Sequence, residues 1–303
     1  MSSPVIAWRA AISLWVNRNR KWILSGPAIA FIVLLLVIPL GYTLYLSFTD
    51  AGSSLRASFH FTGLGNYTNV LTDTRRFWPA VYRTVLFTVG AVSVEMLLGA
   101  AIALLLRREF RGQGIVRVII LMPLVATPVA VAMLWRLIFE PTIGFANEFL
   151  RFFGLPGSEW LSSPSTALPT LMFIDVWQWT PMVALLLLAG LTTVPEEPEE
   201  AARVDGANVF QRFWFVTLPL MRSVVFAALI LRSVEAFKTF DILYATKGAG
   251  GGSMHEAETI NIYAYGINFS DNRYGLASAV LVVFFIMVLV LVTLQIVARR
   301  RGQ

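Results

Sequence analysis

The sequence predicts an all-α membrane protein with six transmembrane helices. Of its 303 residues, 57% are apolar and only 14% are charged, whereas about a quarter of the residues in a soluble protein are charged. The charges leave long gaps between them, and about 20 apolar residues are enough for a helix to cross the hydrocarbon core of a bilayer. The chain contains no cysteine, which excludes disulfides and cysteine-ligated metals.

Six charge-poor segments predict the spans, and in chain order they are 22–49, 84–106, 118–135, 160–195, 223–231 and 274–298. The first is too long for the core of a signal peptide and ends without a small-residue cleavage site, so we expect a retained anchor. The third contains Pro123 and Pro128, which predict a kink because proline removes a backbone hydrogen bond. Glycines and prolines in 139–165 predict an ordered outer loop with short helices. The fifth segment is short and needs polar flanking residues to cross.

Basic residues predict that both ends of the chain are cytoplasmic, because cytoplasmic loops are enriched in lysine and arginine. In this orientation 14 of the 24 basic residues are cytoplasmic, and contact with anionic lipid explains the net charge without nucleic acid. Residues 1–21 are predicted to form an interfacial helix, with an unstructured basic tail as the alternative. Residues 22–298 form the transmembrane domain, and 299–303 form a basic tail.

Charged and polar residues inside the predicted spans are candidates for a functional site, because their burial in lipid is costly. Glu95 and Asp175 are lone acids that suit a proton relay or a substrate contact, or else neutral packing carboxyls. Gln178 lies close to Asp175, between Trp177 and Trp179. Those tryptophans fit an aromatic belt at the bilayer surface better than a platform for sugar rings.

The fifth span carries four charges of alternating sign, Arg232, Glu235, Lys238 and Asp241. Their spacing of three residues places them along one stripe of a helix, where they can pair. Facing lipid, each would cost several kcal/mol, so the stripe must face the protein interior or a wet cavity. It is either an ion-pair ladder between helices or the polar wall of a passage.

No motif in the chain predicts covalent chemistry or a bound cofactor. The glycine-rich run 247–252 lacks the Gly-Lys-Ser/Thr that closes a nucleotide-binding loop. His255-Glu256 has no second histidine four residues later, so it does not predict a zinc helix. An intramembrane hydrolase is disfavoured, because no pair of nucleophile and base lies at membrane depth.

An acidic insert at 196–215 separates the fourth and fifth spans. Pro195 followed by four glutamates predicts a helix start, because acidic residues favour the positive end of the helix dipole. Ala201 and Ala202 offer a flat face to a partner. Asp205-Gly206 predicts a sharp turn, since glycine has the required backbone freedom. A second short helix at 207–215 then leads to a kink at Leu218-Pro219.

Glu200-Ala201-Ala202, Asp205-Gly206 and Leu218-Pro219 resemble the EAA loop of ABC importer permeases from the carbohydrate-transporting, maltose and glycerol-phosphate type branch. Further motifs of that branch follow in order along most of the chain, namely 63–67, Pro123, Pro128, Trp135, Phe139, Pro141, Gly144, Asn147, Trp177, 189–191, 240–241, 258–259 and 274–275. The outer motif at 246–250 departs from the branch, because its usual proline is missing.

The resemblance implies the type I importer architecture, in which the EAA segment is a cytoplasmic coupling helix. It implies a second permease subunit, two ATPase subunits that bind the ATP, and an extracytoplasmic substrate-binding protein, in a bacterial inner membrane. Glu200 would make the ionic contact to an ATPase, Ala201 and Ala202 would pack on it, and Gly206 would be the hinge. The expected cargo is a sugar, a polyol or a sugar phosphate, moved by alternating access. The expected path includes Glu95, Asp175, Gln178, Arg232 and Glu235. The alternative is a proton-coupled carrier that uses Glu95 and Asp175.

Overall fold

The computed structural model describes residues 4–52 and 59–301. Within these ranges every regular element is helical, and the strand-like pairing is one isolated bridge between Thr49 and Phe61. The predicted all-α class is therefore confirmed. The helices in chain order are α1 Pro4–Ile32, α2 Ile38–Leu46, α3 Gly65–Thr72, α4 Phe77–Arg107, α5 Gln113–Leu121, α6 Pro128–Ile138, α7 Phe145–Phe152, α8 Ala167–Leu191, α9 Glu196–Val204, α10 Val209–Arg212, α11 Leu218–Leu220, α12 Arg222–Phe237, α13 Asp241–Lys247, α14 Ile260–Tyr265 and α15 Tyr274–Arg301.

Four helical segments of the described chain are long and apolar enough to cross a membrane on their own, namely Arg18–Leu46, Phe77–Arg107, Ala167–Leu191 and Tyr274–Arg300. Two more spans are bent helix pairs. Gln113–Val125 meets Pro128–Ile138 at 99°, and Val209–Leu220 meets Arg222–Lys247 at 76°. If each bent pair is one span, the described residues contain the six predicted spans.

The first span begins earlier than its apolar pattern indicates. α1 is one helix from Pro4 to Ile32, so no helix end separates the predicted interfacial helix from the span. A π-helical turn, Val33–Val37, continues it directly into α2. The structure describes no side chain before Trp15, so most side chains of the predicted interfacial segment 1–21 lie outside the described ones. The interfacial role of residues 1–21 stays a prediction.

The third span is broken at the prolines that predicted its kink. A 3-10 turn, Met122–Val125, ends the first half, and the backbone at Ala126 and Thr127 is extended. Pro128 then starts α6 at a position where a missing N–H is tolerated, and the Thr127 hydroxyl accepts a hydrogen bond from the Ala130 N–H at 3.4 Å. The proline prediction is thus confirmed as a full break.

α4, α8 and α12 form the buried centre of the fold, and small residues let them approach closely. A Cβ atom on Gly99 of α4 would lie 2.7 Å from Val183 Cγ1 of α8. A Cβ atom on Gly190 of α8 would lie 2.8 Å from Val224 Cγ1 of α12. By contrast, the apolar parts of the first and last spans are almost entirely unburied, as expected for helices that face lipid or another subunit.

The loop between α6 and α8 is ordered, as predicted. Asn147 on α7 is its buried anchor. The Asn147 amide donates to the carbonyl oxygens of Pro141 and Ser158 at 2.8 and 2.9 Å, and its oxygen accepts from the Trp160 indole at 2.7 Å. These bonds tie both ends of the loop to α7.

Candidate functional site

Residues 195–220, which we term the acidic elbow, form two helical arms joined by a glycine turn. Gly206 has φ of +85°, a conformation that glycine adopts without steric cost. The Gly206 N–H donates to Arg203 O at 3.2 Å, and the Ala207 N–H donates to Ala202 O at 2.9 Å. This pair of bonds is a Schellman motif, which satisfies the last carbonyls of a helix. The predicted helix end at Asp205-Gly206 is confirmed.

The second arm begins at a capping box and runs beyond its predicted end. Asn208 accepts from the Gln211 N–H, and the Gln211 side chain accepts from the Asn208 N–H, which fixes the start of α10. A π-helical turn, Phe213–Thr217, carries the chain into α11, where Pro219 lies. The 76° bend follows at Met221, so Leu218-Pro219 does precede a kink.

The first arm presents most of its surface outward. None of the residues of α9, all of which the structure describes, is buried. Glu200 and Ala201 are exposed, Ala202 is half-buried, and Val204 is 88% exposed. Glu200 has no ion-pair partner among the described residues. An acidic, small-residue face of this kind is open to contact from outside the chain.

Glu199, which the sequence assigned only to the start of the helix, faces the opposite way. Arg107 at the end of α4 donates from Nη1 to both carboxylate oxygens of Glu199, at 2.8 and 2.9 Å. The hydroxyl of Thr217 donates to the same Glu199 Oε1 at 2.7 Å. Partial burial raises the pKa of Glu199, but these bonds outweigh it, and its pKa lies below the usual value. The unrecognised signal was Arg107, a basic residue at the end of the second span.

The two lone acids of the spans and Arg232 form one buried cluster. The Arg232 guanidinium contacts Asp175 through Nη2 and donates from Nη2 to Glu95 Oε1 at 2.9 Å. Its Nε lies 2.6 Å from Glu95 Oε2, a close charge contact that is not aligned as a hydrogen bond. All three side chains are 2% exposed or less. The cluster joins α4, α8 and α12, and it holds two carboxylates against one cation.

A polar cavity of about 250 Å³ borders this cluster, lined by Pro128, Asp175, Trp179, Arg232, Glu235, Lys238, Thr239, Phe240, Asp241 and Ile242. The Trp179 ring lies 5.3 Å from the Arg232 guanidinium, a cation–π distance. The aromatic belt favoured from sequence therefore does not account for Trp179. Trp177 instead packs edge-on against Trp135, with ring centroids 5.4 Å apart.

Of the other residues predicted on the path, some line the cavity and some do not. Glu235 lines the cavity and pairs with Lys238 at 2.9 Å, so the charged stripe forms both a cavity wall and an ion pair. Glu95 does not line the cavity, and it contacts the wall through Arg232. Gln178 is buried and donates to the Ala126 carbonyl at 3.2 Å. It thus satisfies a backbone group freed by the break in the third span, and its place on the path stays a prediction.

A second charge cluster lies beside the start of α4. It joins Arg76, just before that helix, to the loop after α13. Glu258 pairs with Arg76 at 2.6 Å, and Glu256 pairs with Lys247 at 2.7 Å. A Cβ atom on Gly252, at φ of +106°, would lie 2.1 Å from the Glu256 carboxylate. Gly252 therefore lets the backbone pass close to the Glu256 carboxylate, where a side chain would not fit. No group of three potential metal ligands occurs among the described residues.

Comparison with known proteins places this architecture in a family. Residues 95–303 match the family described as "Binding-protein-dependent transport system inner membrane component". The chain is 35% identical over 263 residues to the trehalose/maltose transport system permease protein MalF of Thermococcus litoralis, covering 87% of this chain and 88% of that protein. It is 33% identical over 276 residues to the sulfoquinovosyl glycerol transport system permease protein SmoG of Agrobacterium fabrum, covering 91% and 89%.

Solved structures share the fold at lower sequence identity. The crystal structure of a bacterial ABC transporter involved in the import of the acidic polysaccharide alginate matches with a TM-score of 0.81 at 21% identity, over 95% of this chain and 99% of that one. The same class of transporter in complex with an alginate pentasaccharide-bound periplasmic protein matches with a TM-score of 0.77, also at 21% identity, over 96% and 98%. The predicted importer-permease architecture is thereby confirmed.

Proposed function

This chain belongs to the family of binding-protein-dependent transport system inner membrane components, and on that premise we propose that it is one of two permease subunits of an ATP-driven sugar importer. Members of the family are membrane subunits of ABC importers that work with a substrate-binding protein. In the proposed transporter this chain assembles with a second permease subunit and with two ATPase subunits that bind and hydrolyse the ATP. Both termini of the chain lie in the cytoplasm of a bacterium. Residues 22–298 would be the permease domain, between the interfacial segment 1–21 and the basic tail 299–303.

The exposed first arm of the acidic elbow is the observation that carries this proposal. A docking helix must present charge and small side chains outward and still be joined to the spans that it moves. Glu200 and Ala201 are exposed and Ala202 is half-buried, and Gly206 turns the chain back toward α12. Glu200 would therefore pair with a basic residue on an ATPase subunit. Ala201 and Ala202 would allow close approach, and Asp205-Gly206 and Leu218-Pro219 would bend the lever at its two ends.

Alternating access then follows from the broken spans. ATP-driven closure of the ATPase subunits would push α9, and the elbow would turn α12 about the bend at Met221. α12 carries Arg232 and Glu235, which line the polar cavity together with Asp175. Movement of the lever would thus change the access to the cavity, which supports the assignment of Asp175, Arg232 and Glu235 to the translocation path.

The proposed cargo is a sugar or a related polyol or sugar phosphate. Relatives over nearly the whole chain are named for trehalose, maltose and sulfoquinovosyl glycerol transport. The polar cavity carries an indole ring beside charged groups, and this combination suits a polyhydroxylated solute. The comparisons give no support to a proton-coupled carrier. Glu95 and Asp175 also share one guanidinium, so neither is a free relay carboxyl.

A charge reversal on the exposed arm tests the docking assignment. Glu200→Lys should release the ATPase subunits, because a cation would face the basic partner, and proteoliposomes prepared from the importer's subunits should then show neither uptake nor stimulated ATP hydrolysis. Glu197→Lys is the matched control, since Glu197 is also exposed on α9 and undergoes the same charge change. Full uptake by Glu200→Lys, or an equal loss in both variants, would contradict the assignment.

A further inference from the structure

Glu199 joins the acidic elbow to two spans that are far apart in the sequence. Arg107 is the last residue of α4, and Thr217 ends the π-helical turn that leads through α11 into α12. One oxygen, Glu199 Oε1, accepts from Arg107 at 2.8 Å and from Thr217 at 2.7 Å. The three side chains therefore tie α9, the second span and the fifth span at a single point.

This polar contact matters because α9 has little else to hold it. None of its residues is buried, so apolar packing contributes little to its position. Arg107 and Glu199 are themselves 26% and 21% exposed, and Thr217 is buried. A charge-assisted contact that is partly shielded from water is stronger than a fully exposed pair. It also has fixed geometry, because the carboxylate is held from two sides.

Glu199 and Glu200, which are adjacent on α9, face different surroundings. Consecutive helical residues point about 100° apart, so Glu200 faces outward while Glu199 faces the spans. A force applied to the outer face of α9 would reach the spans through the next side chain. Without the Glu199 contact, α9 could tilt on the Gly206 turn and leave α4 and α12 where they were.

We propose that Glu199, Arg107 and Thr217 form a latch that transmits movement of the coupling helix to the second and fifth spans. Glu199 is a positioning residue in this scheme, and Glu200 is the docking residue. The inference rests on the proposed function, since it assumes that ATPase subunits act on α9. Loss of the latch should therefore impair coupling alone. The ATPase subunits should stay bound and keep their basal activity, and stimulated hydrolysis should fall.

The test uses the whole importer, purified and reconstituted with its substrate-binding protein. Glu199→Ala and Arg107→Ala should keep the ATPase subunits in the complex and keep basal ATP hydrolysis. Both should lower stimulated hydrolysis and uptake by about fivefold or more, the usual size of coupling between sites. Thr217→Val should lower stimulated hydrolysis by a smaller factor. Thr217→Ser should couple like the wild type, because it keeps the hydroxyl. Glu197→Ala, which removes an acid without an ion-pair partner among the described residues, should be unaffected.

Exchanging the two charges distinguishes a loss of transmitted movement from a loss of folding. The double variant Arg107→Glu with Glu199→Arg should recover stimulated hydrolysis relative to Arg107→Glu and Glu199→Arg alone. Wild-type stimulation in Glu199→Ala would overturn the latch, and so would a double variant that assembles but stays as uncoupled as its parents. The docking assignment is judged separately, because Glu200→Lys should lose the ATPase subunits that the latch variants retain.

Discussion

Replacing Arg232 by methionine removes the one cation that contacts Glu95 and Asp175 within the described residues. Methionine keeps an unbranched side chain of similar reach in the same cavity wall. What changes is the charge, since two carboxylates that are 0% and 1% exposed lose their partner. The substitution therefore tests whether the buried cluster, and not apolar packing alone, holds α4, α8 and α12 together.

The magnitude follows from the unequal charges of the cluster. Removing one partner of a buried ion pair costs about 3–5 kcal/mol, because the other charge is left uncompensated. Arg232→Met leaves two such charges, so its cost should lie at the upper end of that range. Glu95→Gln instead leaves Arg232 and Asp175 as a balanced pair and keeps an oxygen acceptor. Its cost should not exceed that of an ordinary hydrogen bond, about 0.5–1.5 kcal/mol.

Titration with SDS in mixed micelles, followed by circular dichroism of the helices, measures these differences as free energies of unfolding. Lys238→Met is the matched control, because Lys238 pairs with Glu235 at a half-exposed position. Such a pair contributes only about 0–1 kcal/mol. The reasoning is refuted if Arg232→Met lowers the free energy of unfolding no more than Glu95→Gln or Lys238→Met does.

Two further predictions concern helix packing and the loop between α13 and α14. Gly99→Ala should lower the free energy of unfolding by about 1–3 kcal/mol, because its Cβ would lie 2.7 Å from Val183 Cγ1; the same SDS titration should show no loss for Gly114→Ala, whose Cβ meets open space. Burial raises the pKa of Glu256, but the hydrogen bond and charge of Lys247, together with backbone N–H groups of Glu256 and Met254, outweigh it, and the net pKa is lowered. Its ionised form therefore stabilises the loop above the unfolded-state value of about 4.3, and this stabilisation is lost as pH falls through the lower folded-state pKa. Protease resistance of the loop should thus decline in acid, and Glu256→Gln should flatten that decline; an unchanged pH profile in Glu256→Gln would contradict the assignment.

Local features of the chain predicted most of the elements. The break in the third span depends on Pro123 and Pro128, and each proline acts on its own backbone. The end of the first arm depends on Gly206, whose positive φ suits glycine in any fold. The helices nevertheless extend beyond the charge-free gaps. α4 begins at Phe77 and contains Arg83, because a helix can continue through a charged residue into the polar layer beyond the hydrocarbon.

The roles of individual polar residues were predicted less well. Gln178 was predicted on the path, and its amide donates to the Ala126 carbonyl in the break of the third span. Trp179 suggested a belt, yet it packs on Arg232. In the acidic insert the motif drew attention to Glu200, although Glu199 is the glutamate that contacts the spans. These placements share one origin, since the face that a side chain occupies depends on which helix packs beside it.

The sequence by itself determined the class of the protein, its six spans and the shape of the acidic elbow. Partition between water and lipid depends on composition, and helix ends and breaks depend on a few neighbouring residues. Only the tertiary structure decided which charges meet. Arg232 pairs with residues 137 and 57 positions away, and Arg107 reaches Glu199 across 92 positions. Such pairs form because helices that are remote in sequence pack side by side, and no local pattern in the chain encodes that arrangement.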